Sequence, residues 1–247
     1  MHRFFVPPGD VQGNRIVLKG EQAHHIRRVL RLRPGNLIVI LDNSGWEQDV
    51  RITSLDRGEV CGEVLRRRLA AGETRVKVSL YQAVLKGARF EFALEKGTEL
   101  GIVEFVPLIT DRCVVADLDA VDKKRLRWER IVRSAAQQSR RGQLPRVQQP
   151  LLFRLACERA KRTAGLSIIP WASERSTSLR GLLEGLDKRP FSVNVFVGPE
   201  GGFTEHEVEL AQSYDICPVT LGPRVFRAET AGLVVASALL YALDELE

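Results

Sequence analysis

The 247-residue sequence predicts an α/β protein in two parts: a small β-barrel over residues 1–70, then an α/β domain with a mostly parallel sheet over residues 75–247. Three observations carry that prediction. Short β-like runs punctuated by turns fill the first part, and strands alternate with helical stretches from Val76 onward. Between the two textures lies a charged segment without periodicity, RRRLAAGETR (66–75), of the kind that joins domains. Hydrophobic residues make up 44%, charged residues 28% and aromatics 6%, which suits a chain that buries its own core and argues against disorder.

In the first part the strands are expected at RIVL (15–18), LIVILD (37–42), DVRITSL (49–55) and EVCGEVL (59–65), separated by the turn signals RPGN, DNSG and DRGE. They suggest an antiparallel arrangement. One stretch breaks the pattern: EQAHHIRRVLRL (21–32) sets Ile26, Val29 and Leu30 at helical spacing and stops at Arg33-Pro34-Gly35. In the second part, strands are expected at VKVSLYQAVL (76–85), VEFVPLIT (103–110), LSIIPWA (166–172), VNVFVG (193–198) and CPVTLG (217–222). Helices are expected at 88–101, 122–141, 177–186 and 204–214, and the alternation implies a largely parallel sheet.

The four cysteines, Cys61, Cys113, Cys157 and Cys217, form no C-x-x-C pair and have no histidine at ligand spacing. Neither a zinc site nor a disulfide framework is signalled, and the expectation is buried thiols in a reducing compartment, with no metal. MHRFFVPPGD lacks the apolar stretch of a signal peptide, and the apolar run Leu233–Leu243 falls short of the roughly 20 residues a membrane span needs, so a cytoplasmic protein is expected. Net charge is +6, and it is unevenly spread: between Asp122 and Arg146 nine Lys or Arg face only two acids. A polyanionic partner would account for that concentration, although a charge run is as often a solvated helix face.

Two loops carry the candidate chemistry. The apolar strand VNVFV runs into Gly198-Pro199-Glu200-Gly201-Gly202-Phe203, after which Thr204 and Glu207 have the spacing of a capping box. Strand, glycine loop and helix in succession let a backbone approach a ligand closely, though the same residues would serve as a plain tight turn. A second strand ends at Gly222-Pro223 and leads through Arg224-Val225-Phe226-Arg227-Ala228-Glu229-Thr230 into the apolar helix AGLVVASALLYAL. Arg227 and Glu229 stand at its entrance, as a reactive pair or as helix-terminal charges. Neither loop reads G-x-G-x-x-G or G-x-x-x-x-G-K-[ST], which disfavours ordinary dinucleotide or triphosphate binding.

GPEGGFTEHEVELA together with LGPRVFRAETAGLVVASALLY resembles the C-terminal signature of the SPOUT-class methyltransferases, within them the enzymes that make N3-methyluridine in 16S rRNA. MHRFFVP, AHHIRRVLRLRPGN, LEKGTELGIVEFVPLIT and the segment from Arg127 to Pro145 extend the resemblance over essentially the whole chain. Ser134 and Arg140 stand where such proteins often carry an acid and a glycine, and Ala228 interrupts the usual RTETA form of the last motif. The resemblance implies an N-terminal PUA-like RNA-binding β-barrel, a C-terminal domain tied in a trefoil knot, and a homodimer. It implies S-adenosylmethionine as cofactor, S-adenosylhomocysteine as product, and no metal. By the same resemblance Val197, Gly198, Pro199, Glu200, Gly201, Leu221, Gly222, Val225 and Phe226 hold the cofactor.

For methyl transfer to a uridine in 16S rRNA, Arg227 is the expected donor to a uracil carbonyl, and Glu229 the proton acceptor or the group that orients Arg227. Phosphate contacts are expected from Arg3, His25, Arg28, Arg31 and Arg33 in the first part, and from Arg127, Arg130, Arg133, Arg140 and Arg141 in the second. Phe4, Phe5 and Trp46 are expected in the core rather than against bases. Two other classes compete: a non-catalytic rRNA-binding assembly factor, and a methyltransferase or nucleotide enzyme with a different target.

Overall fold

The computed structural model describes residues 1–246 except Arg57, Val115, Ala116 and Ala164, so the expected DRGE turn lies partly outside the described residues. Packing divides the chain into two units, Met1–Glu73 with Arg133–Leu144, and Thr74–Val132 with Pro145–Glu247. A cut near residue 70 alone therefore does not describe the division, because a short segment from deep within the second half packs with the first unit.

That first unit is built on β1 (His2–Phe5), β2 (Val11–Gln12), β3 (Arg15–Lys19), β4 (Leu37–Leu41), β5 (Trp46–Leu55) and β6 (Glu59–Leu69). They form one sheet in the order β1-β4-β5-β6-β3-β2, antiparallel except that β1 lies parallel to β4. Alternation along the strands sends Ile16, Leu18, Ile38, Ile40, Val50, Ile52 and Val60 into a common core with Phe4 and Ile26. Phe5, Val39 and Leu41 pack against Ala136, a residue of the returning segment. The helix expected over 21–32 is shorter and changes pitch. Only α1 (Gly20–His24) is α-helical; His25–Val29 winds as a π-helical turn, with the Leu30 amide bonded to the His25 carbonyl at 2.9 Å, and Arg31 then adopts φ 52°. The wider winding carries Val29 off the buried face, where it is exposed, while Ile26 stays in the core.

In the second unit every strand pairing is parallel: β7 (Lys77–Ala83), β8 (Glu104–Ile109), β9 (Arg146–Val147), β10 (Leu151–Leu152), β11 (Leu166–Pro170), β12 (Ser192–Val197) and β13 (Cys217–Val219). The order is β10-β8-β7-β12-β11-β13, with β9 also on β8. Its helices are α2 (Arg89–Leu100), α3 (Leu118–Asp122), α4 (Arg125–Gln138), α5 (Phe153–Arg162), α6 (Leu179–Glu184), α7 (Glu205–Ser213) and α8 (Ala228–Ala242), with the end of α4 belonging to the first unit. A parallel sheet is stable when both faces are covered, and here they are. Val78 and Leu80 bury on one face with residues of α2 and α8, while Tyr81 and Ala83, one position along, bury on the other with residues of α5 and α7. Helices α3 and α5 and the short strands β9 and β10 are absent from the sequence reading.

Of the thiols expected to be buried, only Cys157 is; burial pushes it up to about 12. Cys61, Cys113 and Cys217 are half-buried, because Cys61 points away from its buried neighbours Val60 and Gly62, Cys113 lies in the loop after β8, and Cys217 opens the edge strand β13. Among the described residues no helix is long and apolar enough to cross a membrane.

Candidate functional site

Because β7, β8, β11, β12 and β13 run parallel, their carboxyl ends share one edge of the sheet, and the segments that follow them meet there. They enclose a cavity of about 1030 Å³, at the upper end of what ligand pockets span. Arg89 comes from the segment after β7, Arg112 from that after β8, Trp171, Ala172, Ser173 and Arg175 from that after β11, Gly198 to Phe203 from that after β12, and Thr220 to Glu229 from that after β13. All nine residues expected to hold a cofactor line this one cavity, as do Arg227 and Glu229.

The first loop is closely packed. A Cβ on Gly198 would come within 3.1 Å of backbone atoms of Gly202 and Phe203, so a side chain there presses directly on the main chain of the loop. The Gly202 amide bonds back to the Pro199 carbonyl at 2.9 Å, and the Arg112 guanidinium donates to the Gly201 carbonyl at 2.7 Å. Beyond the loop the predicted capping box is present, with Thr204 and Glu207 satisfying each other's backbone at the start of α7. Glu207 also accepts from the Asp111 amide at 2.9 Å, tying the loop to the segment after β8.

On the other side, Gly222 has φ 93°, a left-handed turn that other residues adopt at a cost. Its amide bonds to the Thr220 hydroxyl at 3.2 Å, and Thr220 is itself pinned to Thr177 by an amide–carbonyl bond of 2.8 Å. The carboxylate of nearby Glu174 accepts from the Ser176 hydroxyl and from the amides of Thr177, Ser176 and Arg175, which hold it at about 2. Val225 is 83% exposed although apolar, a cost that a bound ligand would remove.

Arg89 joins the loops. It donates to Glu200 at 3.1 Å and lies 4.0 Å from Glu229. Burial works against the Glu200 charge, yet the backbone amides of Glu200 and Lys86 and the Arg89 guanidinium hold its carboxyl below the usual range. Glu229 sits in the first turn of α8 with a side chain only 12% exposed, and its ion-pair partner is Arg89 rather than Arg227. Arg227 is the residue that opens α8; its side chain is exposed and has no ion pair or hydrogen bond among the described residues. A free guanidinium and a nearly buried carboxylate thus share one cavity with the glycine loops. Arg89, Arg112 and Trp171 were missed by motif reading, although the carboxyl ends of parallel strands are where such residues collect.

The expected phosphate contacts separate by environment. Arg28, Arg31, Arg33, Arg130, Arg133 and Arg140 are exposed, as is His25, whose ring meets Phe4 edge-on at 6.3 Å. Arg133 also donates to the Phe5 carbonyl at 3.0 Å, and Arg127 pairs with Glu91 at 2.8 Å while staying exposed. Two assignments are corrected. Arg141 is 3% exposed and held by Glu73 through bonds of 2.9 and 2.8 Å, and Arg3 is 10% exposed and paired with Glu47 at 2.5 Å. Their charges are neutralised within the first unit, which removes them as free phosphate contacts. Phe4 and Phe5 are core residues as expected, but Trp46 is not: it is exposed at the start of β5, with the Arg67 guanidinium over its ring at 4.8 Å.

Comparison with known proteins finds two families along the chain. The RNA methyltransferase domain family matches residues 72–240, and the RNA methyltransferase PUA domain family matches residues 18–65. Ribosomal RNA small subunit methyltransferase E of Bacillus subtilis is 33% identical over 93% of this chain and 91% of its own length. Its Synechocystis counterpart is 34% identical over 99% of this chain and 78% of its own. The crystal structure of a ribosomal RNA small subunit methyltransferase E from Neisseria gonorrhoeae bound to S-adenosyl methionine superposes with a TM-score of 0.87 at 30% identity, covering 98% of this chain and 97% of the other.

Proposed function

Since the chain belongs to the ribosomal RNA small subunit methyltransferase E family, we propose that it uses S-adenosylmethionine to methylate N3 of a uridine in 16S rRNA. One observation supports this reading above others: the cavity at the strand ends brings both glycine loops, an unpartnered arginine and a nearly buried carboxylate together. Close-packed backbone at Gly198, the open turn at Gly222 and the exposed apolar side chain of Val225 fit a ligand that is part polar and part flat and apolar. Residues 197–201 with Leu221, Gly222, Val225 and Phe226 would hold it. S-adenosylmethionine, when bound, supplies an electrophilic methyl group and leaves as S-adenosylhomocysteine.

The protein's own residues then serve the uridine. N3 of neutral uridine carries a proton and offers no good lone pair, so the proton must leave as the methyl bond forms. Arg227 donates hydrogen bonds to a uracil carbonyl, where negative charge gathers once N3 is deprotonated. Glu229 accepts the proton; its pairing with Arg89 rather than Arg227 favours this role over that of orienting Arg227. The knotted chain path, the homodimer, the assembled small subunit as substrate and a place in the cytoplasm belong to the same reading.

Calorimetric titration separates an enzyme from a non-catalytic rRNA-binding assembly factor. The wild-type chain is expected to bind S-adenosylmethionine saturably and to be inhibited by S-adenosylhomocysteine. Gly198→Val is expected to weaken binding by at least about tenfold, about 1.4 kcal/mol. Absence of wild-type binding would favour the assembly factor.

A further inference from the structure

The first unit contains a second pocket, of about 360 Å³, which no part of the methyl-transfer machinery uses. Met1, Phe4 and Leu30 supply its apolar lining, and its polar groups include Arg3 besides His25, Gln137, Gln138 and Arg140. The last four side chains have no hydrogen-bond or ion-pair partner among the described residues, whereas Arg3, in the same wall, is paired with Glu47. No carboxylate is among the described lining residues. A pocket this size falls at the small end of the range of about 300–1,000 Å³ seen for ligand sites, enough for one nucleoside.

The walls are held before any ligand arrives. Gln137 and Gln138 end α4, and the turn after them places Arg140 at φ 61°. Glu73 fixes that turn, accepting from Arg141 and from the amides of Gly142 and Gln143 at 2.9 and 3.1 Å. On the opposite side Glu47 and Arg68 hold Arg3. His25 begins the π-helical turn, a winding frequent at functional sites, and Phe4 braces its ring edge-on.

We propose that this pocket takes one unstacked base of single-stranded rRNA. The inference rests on the reading of rRNA as substrate and adds where a nucleotide is read. Each amide offers donors and an acceptor to the edge of a base, which is how side chains distinguish bases in unpaired RNA. The His25 imidazole offers a stacking plane, and the free Arg140 guanidinium suits the neighbouring phosphate. A purely electrostatic site would need cations and no amides.

The test measures fluorescence anisotropy of the full chain with labelled oligo(U), oligo(A), oligo(C) and oligo(G) RNAs of about nine nucleotides, over a range of salt. Wild type is expected to prefer one base by on the order of tenfold, and Gln137→Ala/Gln138→Ala to abolish the preference while leaving the salt slope unchanged. His25→Ala is expected to weaken all four RNAs, and Arg140→Ala to weaken all four and flatten the logarithmic salt slope by about 0.7, one phosphate contact on a single strand. Thermal unfolding midpoints equal to wild type identify folded variants. Equal wild-type affinity for the four RNAs, or an unchanged preference in the folded double variant, would overturn the proposal. A chain that binds with base preference but transfers no methyl counts against the catalytic reading alone. One that transfers methyl yet binds all four alike counts against the pocket alone.

Discussion

Replacing Arg227 with alanine is expected to lower kcat about 10²–10³-fold, the usual loss when a preorganised donor to developing negative charge is removed. The expectation follows from position: the guanidinium lines the cavity, is exposed and has no partner among the described residues, so its hydrogen bonds remain available for a substrate. Because it holds nothing else in place, the fold and the binding of S-adenosylmethionine should persist. An interaction made mainly as charge develops appears in kcat more than in KM. Arg227→Lys restores the charge without the planar pair of donors and is expected to recover only part of the rate. Single-turnover transfer of labelled methyl to rRNA measures both variants. Near-full turnover by a folded Arg227→Ala chain would remove Arg227 from the mechanism.

Arg141→Ala is expected to cost about 3–5 kcal/mol of stability, the range for a buried ion pair broken from one side. Glu73 would be left with its charge, its amide partners and no cation. Burial opposes ionisation of Glu73, but the hydrogen bonds and charge of Arg141, with the Gln143 and Gly142 amides, outweigh it and hold the carboxyl below the usual range. A carboxyl depressed in the folded state stabilises fully above its unfolded value, 4.5, and that contribution disappears as pH falls through the folded value. Wild type should therefore lose stability on acidification below pH 4.5, and Glu73→Gln, already weaker at neutral pH, should lose less. Urea unfolding at neutral and acid pH measures the difference. An Arg141→Ala chain with the wild-type midpoint would show that the pair does not secure the returning segment.

Much of the site was legible in the sequence because its signals are local. Glycine loops directly after apolar strands, a capping box and a charged entrance to an apolar helix all lie within a few residues of one another, and the family resemblance named a cofactor for them. Arg89 and Arg112 were not legible, because each reaches the cavity only once parallel pairing sets β7 and β8 beside β12. Charge was the least legible property. The basic segment 122–146 reads as one surface, yet Arg141 is buried against Glu73, some seventy positions away, while Arg140 beside it is exposed. The return of 133–144 to the first unit depends on contacts such as Ala136 with Phe5 and Val39, whose sequence separation leaves no periodic trace. In residues 21–32 the spacing predicted an unbroken helix, and the π-helical turn at His25 followed by the left-handed Arg31 ended it early.

The most direct measurement is mass-spectrometric mapping of 16S rRNA from cells lacking the gene, before and after incubation of their small subunits with the purified chain and labelled S-adenosylmethionine. Methyl transfer as described predicts that one N3-methyluridine is missing from the rRNA and returns carrying the label, with wild type but not with Arg227→Ala. An unchanged methyluridine profile on deletion, or label on an atom other than uridine N3, would contradict it.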